Sequence, residues 1–167
     1  MDDHFEYPVD IYDEQGNIVG IKKRGEVDKR SDIVKTVHLL AFDTFGNALL
    51  SVIPRTGDRI WKGMWATTCA GVQRHGESLE FAMQRTMQRE LNLCEEIEFV
   101  GEEFHDFGNG VKRFVAVFRC RTNQKVIPNP LETPNVQSFE PEEVEELINN
   151  KRCAPTLETA WKMCKKL

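Results

Sequence analysis

Between Gly71 and Leu93 the chain reads GVQRHGESLEFAMQRTMQRELNL. From Glu77 to Asn92 the apolar residues Leu79, Ala82, Met83 and Met87 recur at spacings of three and four, which predicts a helix with Asn92 suited to end it. With about 100° per residue, Leu79, Ala82, Met83, Thr86 and Glu90 fall in one sector about 100° wide. Glu90 therefore lies among residues that face the rest of the fold, where a carboxylate is costly unless a cation or a set of donors meets it. Two readings stay open. In one, Glu90 pairs with Arg85 or Arg89 as a structural ion pair. In the other it serves a cation or phosphate site at the helix.

Outward from this helix, strands alternate with turns. VDIY (9–12) and IVGIKK (18–23) flank DEQGN, and VKTVHLLAF (34–42) and ALLSVIPR (48–55) flank DTFGN. In both pairs an Asp and a Gly-Asn step supply the polar, positive-φ positions of a hairpin. TGDRIWKGMW (56–65) reads as a loop across one end of a sheet, and WATTCAGV offers one short strand ending at Gly71. IEFVGEE and KRFVAVFRCR are two more strands about a Gly108-Asn109-Gly110 turn, and the three prolines of VIPNPLETPN (126–135) mark an irregular connection. VQSF is a short strand, Pro141 and an acidic first turn open a helix, and a last helix runs from about Pro155 to Lys166. The expected fold is α+β: one domain over 1–167, with a mixed β-sheet in an α/β/α sandwich, an N-terminal β-hairpin (about 7–24) and C-terminal helices (about 141–166).

Composition narrows the function. In 167 residues of which 29% are charged, no apolar run approaches the roughly 18–20 residues of a bilayer helix. The start, MDDHFEYPVD, lacks a basic-then-apolar signal layout, so a cytoplasmic protein is expected. A net charge of −5 argues against a broad nucleic-acid surface, which needs clustered cations. The five cysteines contain no C-x-x-C pair and write neither a disulfide framework nor a zinc ribbon.

The 71–93 segment resembles the Nudix box: G, five residues, E, seven residues, then R-E-U-x-E-E-x-G-U with U apolar. Gly71, Glu77, Arg85, Met87, Glu90 and Leu93 match it without a gap, whereas Thr86, Arg89 and Asn92 stand where the family has Glu, Glu and Gly. The strand order, LLSVIPR with its Arg55, the GDRIWKGMW loop and the tryptophan before the box are similar to the Nudix branch related to isopentenyl-diphosphate isomerase. The resemblance runs over roughly residues 7–165. It implies the Nudix fold and a substrate in which a diphosphate is linked to another group.

It also implies roles. Nudix hydrolases hold a divalent metal, Mg2+ or Mn2+, on box glutamates, which offsets phosphate charge and activates a water. Here that points to Glu90 as metal ligand, to Glu90 and Glu77 as the catalytic candidates, and to Gly71 and Arg85 as structural box residues. Glu77 has a second reading, supporting the loop-helix geometry through Arg85. Replacing Glu by Arg at 89, about 5 Å from a divalent ion, costs roughly 3 kcal/mol at a water-like dielectric and above about 10 at an effective value near 20. Metal is thus expected to be weak or absent without substrate. The Arg89 guanidinium instead suits phosphate oxygens, and Arg55, Arg59 and Lys62 form a second phosphate-contact patch whose alternative is a solvated loop. Trp61 and Trp65 stack on a base or pack the core. A further carboxylate is sought among Glu102, Glu103, Asp106 (with His105 beside them) and Glu132, and no spacing rule selects one.

Isomerases of the related branch use a cysteine and a histidine just before the box. Ala70 and Val72 hold those positions here, Cys69 is one place early and should point away, and His75 lies in the loop. The expected function is an atypical hydrolase of a nucleoside or other organic diphosphate with a reduced metal site. The alternative is a non-catalytic diphosphate- or nucleotide-binding module, and isomerase-like activity comes third. The expected partner is a small-molecule diphosphate, and the apolar hairpin offers a surface for pairing as a homodimer.

Overall fold

A computed structural model describes residues 6–133 and 135–166; the Met1–Phe5 stretch on which the leader reading partly rests lies outside them. Strands β1 (Pro8–Tyr12) and β2 (Ile18–Lys23) pair antiparallel as a separate hairpin. The Asp13 carboxylate accepts the backbone N–H groups of Gln15 and Asn17, and Gly16 takes φ 86°, which closes the turn. Asp43 does the same for Phe45 and Asn47 between β3 (Val34–Phe42) and β4 (Ala48–Val52). The repeated D-x-x-G-N spelling is shared turn chemistry.

The remaining elements are β5 (Trp65–Ala66), β6 (Cys69–Val72), α1 (Leu79–Leu91), β7 (Glu98–Asp106), β8 (Lys112–Arg121), β9 (Val136–Phe139), α2 (Pro141–Asn149) and α3 (Pro155–Lys165). Among the described residues, one mixed sheet runs β5-β4-β3-β8-β7, with β6 added to β3 and β9 to β4. The β3–β8 pair is parallel and the others are antiparallel.

Alternation along β3 builds two cores. Val37, Leu39 and Ala41 pack with Ala82, Met83, Met87 and Leu91 of α1, and Leu40 packs on the other side with Leu157, Ala160 and Trp161 of α3. The expected α/β/α sandwich, with its hairpin, is the observed architecture. No helix among the described residues is long and apolar enough to cross a membrane.

Three local expectations are corrected. WATTCAGV is not one strand: Thr67 and Thr68 interrupt it, because β5 pairs with β4 while β6 pairs with β3. The Thr68 hydroxyl donates to the Leu49 carbonyl and accepts from the Ala41 N–H, which holds the jog. The box helix begins at Leu79, after Ser78, whose hydroxyl accepts from the Phe81 N–H at 3.1 Å. Glu77 therefore precedes the helix. Finally, β7 extends to Asp106, past the Glu103 at which the IEFVGEE strand is expected to stop, and the Glu102–Asp106 cluster lies at its end, as expected.

Asn92 ends α1 at φ 51°, ψ 38°, and its side-chain amide donates to the Ile127 carbonyl at 2.7 Å. That left-handed conformation favours glycine, and asparagine tolerates it better than other side chains. The proline-rich segment then takes up carbonyls at the end of α1, Ile127 N–H to Leu91 O and Asn129 N–H to Glu90 O. This docking brings Glu132 and Thr133 beside Glu90.

Candidate functional site

Glu77 and Arg85 brace the loop before α1. The Glu77 carboxylate accepts from Arg85 Nε at 2.7 Å, Arg85 Nη2 at 2.9 Å and the Arg74 N–H at 2.9 Å. Arg85 Nη2 also donates to the Val72 carbonyl. These donors hold the Glu77 carboxyl below its ordinary value despite the opposing effect of burial, which is the largest single influence. Gly71 is required by contact: a Cβ there would stand 2.4 Å from Thr86 Oγ1. Thr86 is buried against β6, and its hydroxyl has no hydrogen-bond partner.

Glu90 faces a different environment. It lines a cavity of about 200 Å³ and an adjoining one of about 150 Å³. Their shared walls include His38 of β3, Ala70 of β6, Arg113 of β8, Arg59 of the 53–61 loop, Glu90 and Glu132. The Glu90 carboxylate accepts from Thr133 Oγ1 at 3.3 Å and from the Ala70 N–H. Burial, with Glu132 adding to it, pushes the Glu90 carboxyl up to about 8 against the opposing pull of Arg89.

The floor carries polar groups in an otherwise apolar strand. His38 is enclosed, with Nε2 2.9 Å from Thr36 Oγ1 and Nδ1 3.3 Å from Thr67 Oγ1. Thr67 Oγ1 donates to the Cys69 carbonyl, so it accepts from Nδ1–H and leaves Nε2 to accept from Thr36. Burial, with Arg113 nearby, takes the imidazole down to about 3, so it is neutral at physiological pH.

Around this floor stand cations. Arg113 is pushed down to about 10 by burial and by Arg24, and it lies 5.1 Å from the Trp61 ring. Arg24 and Lys29, from the segment after the hairpin, line the larger cavity. The Arg24 Nε is buried without a partner, and Lys29 Nζ donates to the Asp58 carbonyl of the opposite loop. The Lys29 ammonium is held below its ordinary value by burial first, then by Arg24.

The structure brings some predicted site residues together and scatters others. Glu90, Arg59 and Glu132 meet at the cavity. Arg89 donates to Glu132 at 3.0 Å, and Arg59 lies 3.7 Å from the same carboxylate. Neither Arg55 nor Lys62 lines the cavity; the Arg55 guanidinium lies over Gly63. Glu102 pairs with Lys35, Glu103 with His105, and His75 with Asp10, all away from the cavity. Trp65 packs on Phe139, whereas Trp61 lines the smaller cavity and stacks edge-on against Phe107. Cys69 points into the α1 core, and Ala70 and Val72 offer the cavity no thiol or imidazole.

Sequence reasoning missed His38, Arg113, Arg24 and Lys29. Two signals were present: Thr36 and His38 at a spacing of two in a strand otherwise rich in apolar residues, and an arginine on the matching face of the parallel neighbour, where Val34 aligns with Arg113.

A family model of the NUDIX domain matches residues 33–159. The chain belongs to the Nudix family. The chain is 32% identical over 95 residues to an isopentenyl-diphosphate Delta-isomerase of Nocardia farcinica, which is 56% of this chain and 54% of that protein. It thus spans about half the length of the curated relative it matches. Among solved structures it resembles DR0079 from Deinococcus radiodurans, with a TM-score of 0.76 at 18% identity over 92% of this chain and 99% of that one. It also resembles the NUDIX domain of Shewanella oneidensis NrtR, solved with ADP ribose, with a TM-score of 0.66 at 13% identity over 85% and 94% of the two chains. At such identities these two structures establish the Nudix fold.

Nudix proteins in general use divalent cations such as magnesium or manganese. The donors present here do not fit a resident ion. Thr86 turns its hydroxyl into the packed interior. Glu132 is met by two guanidinium groups, which leaves Glu90. Among the described residues no three of His, Cys, Asp or Glu converge as metal ligands do. The arrangement can instead hold an anion, since Lys29 and Arg113 are partly desolvated cations that form no ion pair among the described residues.

Proposed function

We propose that this Nudix protein binds an organic diphosphate in the Glu90–Arg113 cavity, as a recognition module and not as an efficient hydrolase. One observation carries the reading: the cavity that opens beside the box glutamate is lined by Arg113, Arg24 and Lys29, none of which forms an ion pair among the described residues. The diphosphate seats on the Arg113 side of the Thr36–His38 floor, and its second group extends toward Trp61 in the smaller cavity. The ADP ribose bound by the NrtR domain supplies a first candidate of the right chemistry.

A second reading, slow hydrolysis, draws on Glu90, which keeps its box position and faces the same cavity. Magnesium or manganese then arrives with the substrate. Isomerase chemistry has no thiol at Ala70 to support it.

The test is a panel of ADP-ribose, nucleoside diphosphates and isoprenoid diphosphates, with magnesium or manganese, read by thermal unfolding and by phosphate release. Stabilisation without turnover is the expected result, because binding to the folded state alone raises apparent stability. Turnover abolished by Glu90→Gln would establish the hydrolase, and no stabilisation by any member would remove both readings.

A further inference from the structure

We infer that the charge of the bound diphosphate is neutralised by the protein's own Arg24, Lys29 and Arg113, so that the ligand is taken up without a divalent metal ion. This rests on the reading that the cavity receives a diphosphate, and it adds what balances that charge.

The three cations come from separate segments, the turn after β2, the stretch that follows it, and β8, and converge on one cavity. Among the described residues none of the three forms an ion pair. Lys29 meets a backbone carbonyl, Arg113 meets an aromatic ring, and Arg24 keeps a buried Nε with no partner. Each neighbouring cation, by contrast, has a carboxylate: Lys112 has Glu14, Lys22 has Asp32, and Arg59 and Arg89 share Glu132. Partly desolvated cations held outside an ion pair are a standing cost to the fold, and a phosphate anion relieves it.

The geometry also suits the ligand. A guanidinium presents a planar fork of donors that matches two phosphate oxygens, and two guanidiniums with an ammonium supply positive charge comparable to that of a diphosphate. A divalent ion entering the same space would meet three cations that form no ion pair among the described residues, and of the lining carboxylates Asp32 is taken by Lys22 and Glu132 by Arg59 and Arg89, which leaves Glu90. Substituting arginine and threonine for two box glutamates is consistent with a site that gave up the ion and kept the anion.

Isothermal titration of the purified chain with ADP-ribose and with inorganic pyrophosphate, once in EDTA and once in excess magnesium, tests this. Binding in EDTA, no tighter with magnesium, is expected, and Arg113→Gln and Arg24→Gln should each weaken it by about tenfold or more. Thermal unfolding of the ligand-free variants, expected at or above the wild-type midpoint, shows that the loss is not unfolding. Binding that appears only with magnesium overturns the inference and leaves the diphosphate reading standing. EDTA binding unaffected by either substitution also overturns it. Absence of binding in both buffers overturns the diphosphate reading and the inference together.

Discussion

Glu90 is a carboxyl that the fold holds partly in its neutral form. Its folded value, about 8, lies above the ordinary 4.5, because burial and Glu132 outweigh Arg89, the Thr133 hydroxyl and the Ala70 N–H. Between those two values the folded chain binds more protons at this residue than the unfolded chain. Its contribution to stability is therefore fully present below pH 4.5 and is lost as the pH rises through 8. Glu90→Gln keeps the shape and removes the titration. Measured by thermal or urea unfolding from pH 5 to 8, the variant should show a flatter profile and exceed the wild type by about 1–3 kcal/mol at the upper end. Parallel profiles would mean that Glu90 is already ionised in the folded protein. The inward direction of this side chain was legible from helical spacing alone. Its neighbours were not, because Glu132 and Thr133 arrive from a loop whose path no periodicity encodes.

The junction of β6 and α1 shows why the box tolerates some changes and not others. Gly71 lets the helix approach so closely that an added Cβ would collide with Thr86, a contact of 2.4 Å to Oγ1. Gly71→Ala should destabilise the protein by about 1–3 kcal/mol through overpacking. Thr86→Ala should be close to neutral, since the lost hydroxyl has no partner. In the double variant much of the Gly71→Ala cost should disappear, the coupling expected of residues in direct contact. Additive denaturation free energies would show that the helix sits elsewhere. Elements were readable wherever a period or turn chemistry repeats, as in the two D-x-x-G-N hairpins and the Leu79–Leu91 helix. The Trp65–Val72 stretch was misread as one strand because its halves join different neighbours, a tertiary choice to which local pattern is blind.

Across the whole molecule, the sandwich is written in the alternation of β3 and the apolar faces of α1 and α3, but the cavity is written nowhere in one place. Its charges come from residues 24, 29, 32, 59, 90, 112, 113 and 132, and only the parallel β3–β8 pairing sets Arg113 beside the Thr36–His38 floor. The patch that was legible in sequence, Arg55, Arg59 and Lys62, contributes one of its three members to that cavity. Chemical-shift mapping of the amide groups while ADP-ribose is added tests the central claim most directly. The result expected is a saturable set of changes at Thr36, His38, Ala70, Glu90 and Arg113, and changes confined to other surfaces, or none at all, would contradict it.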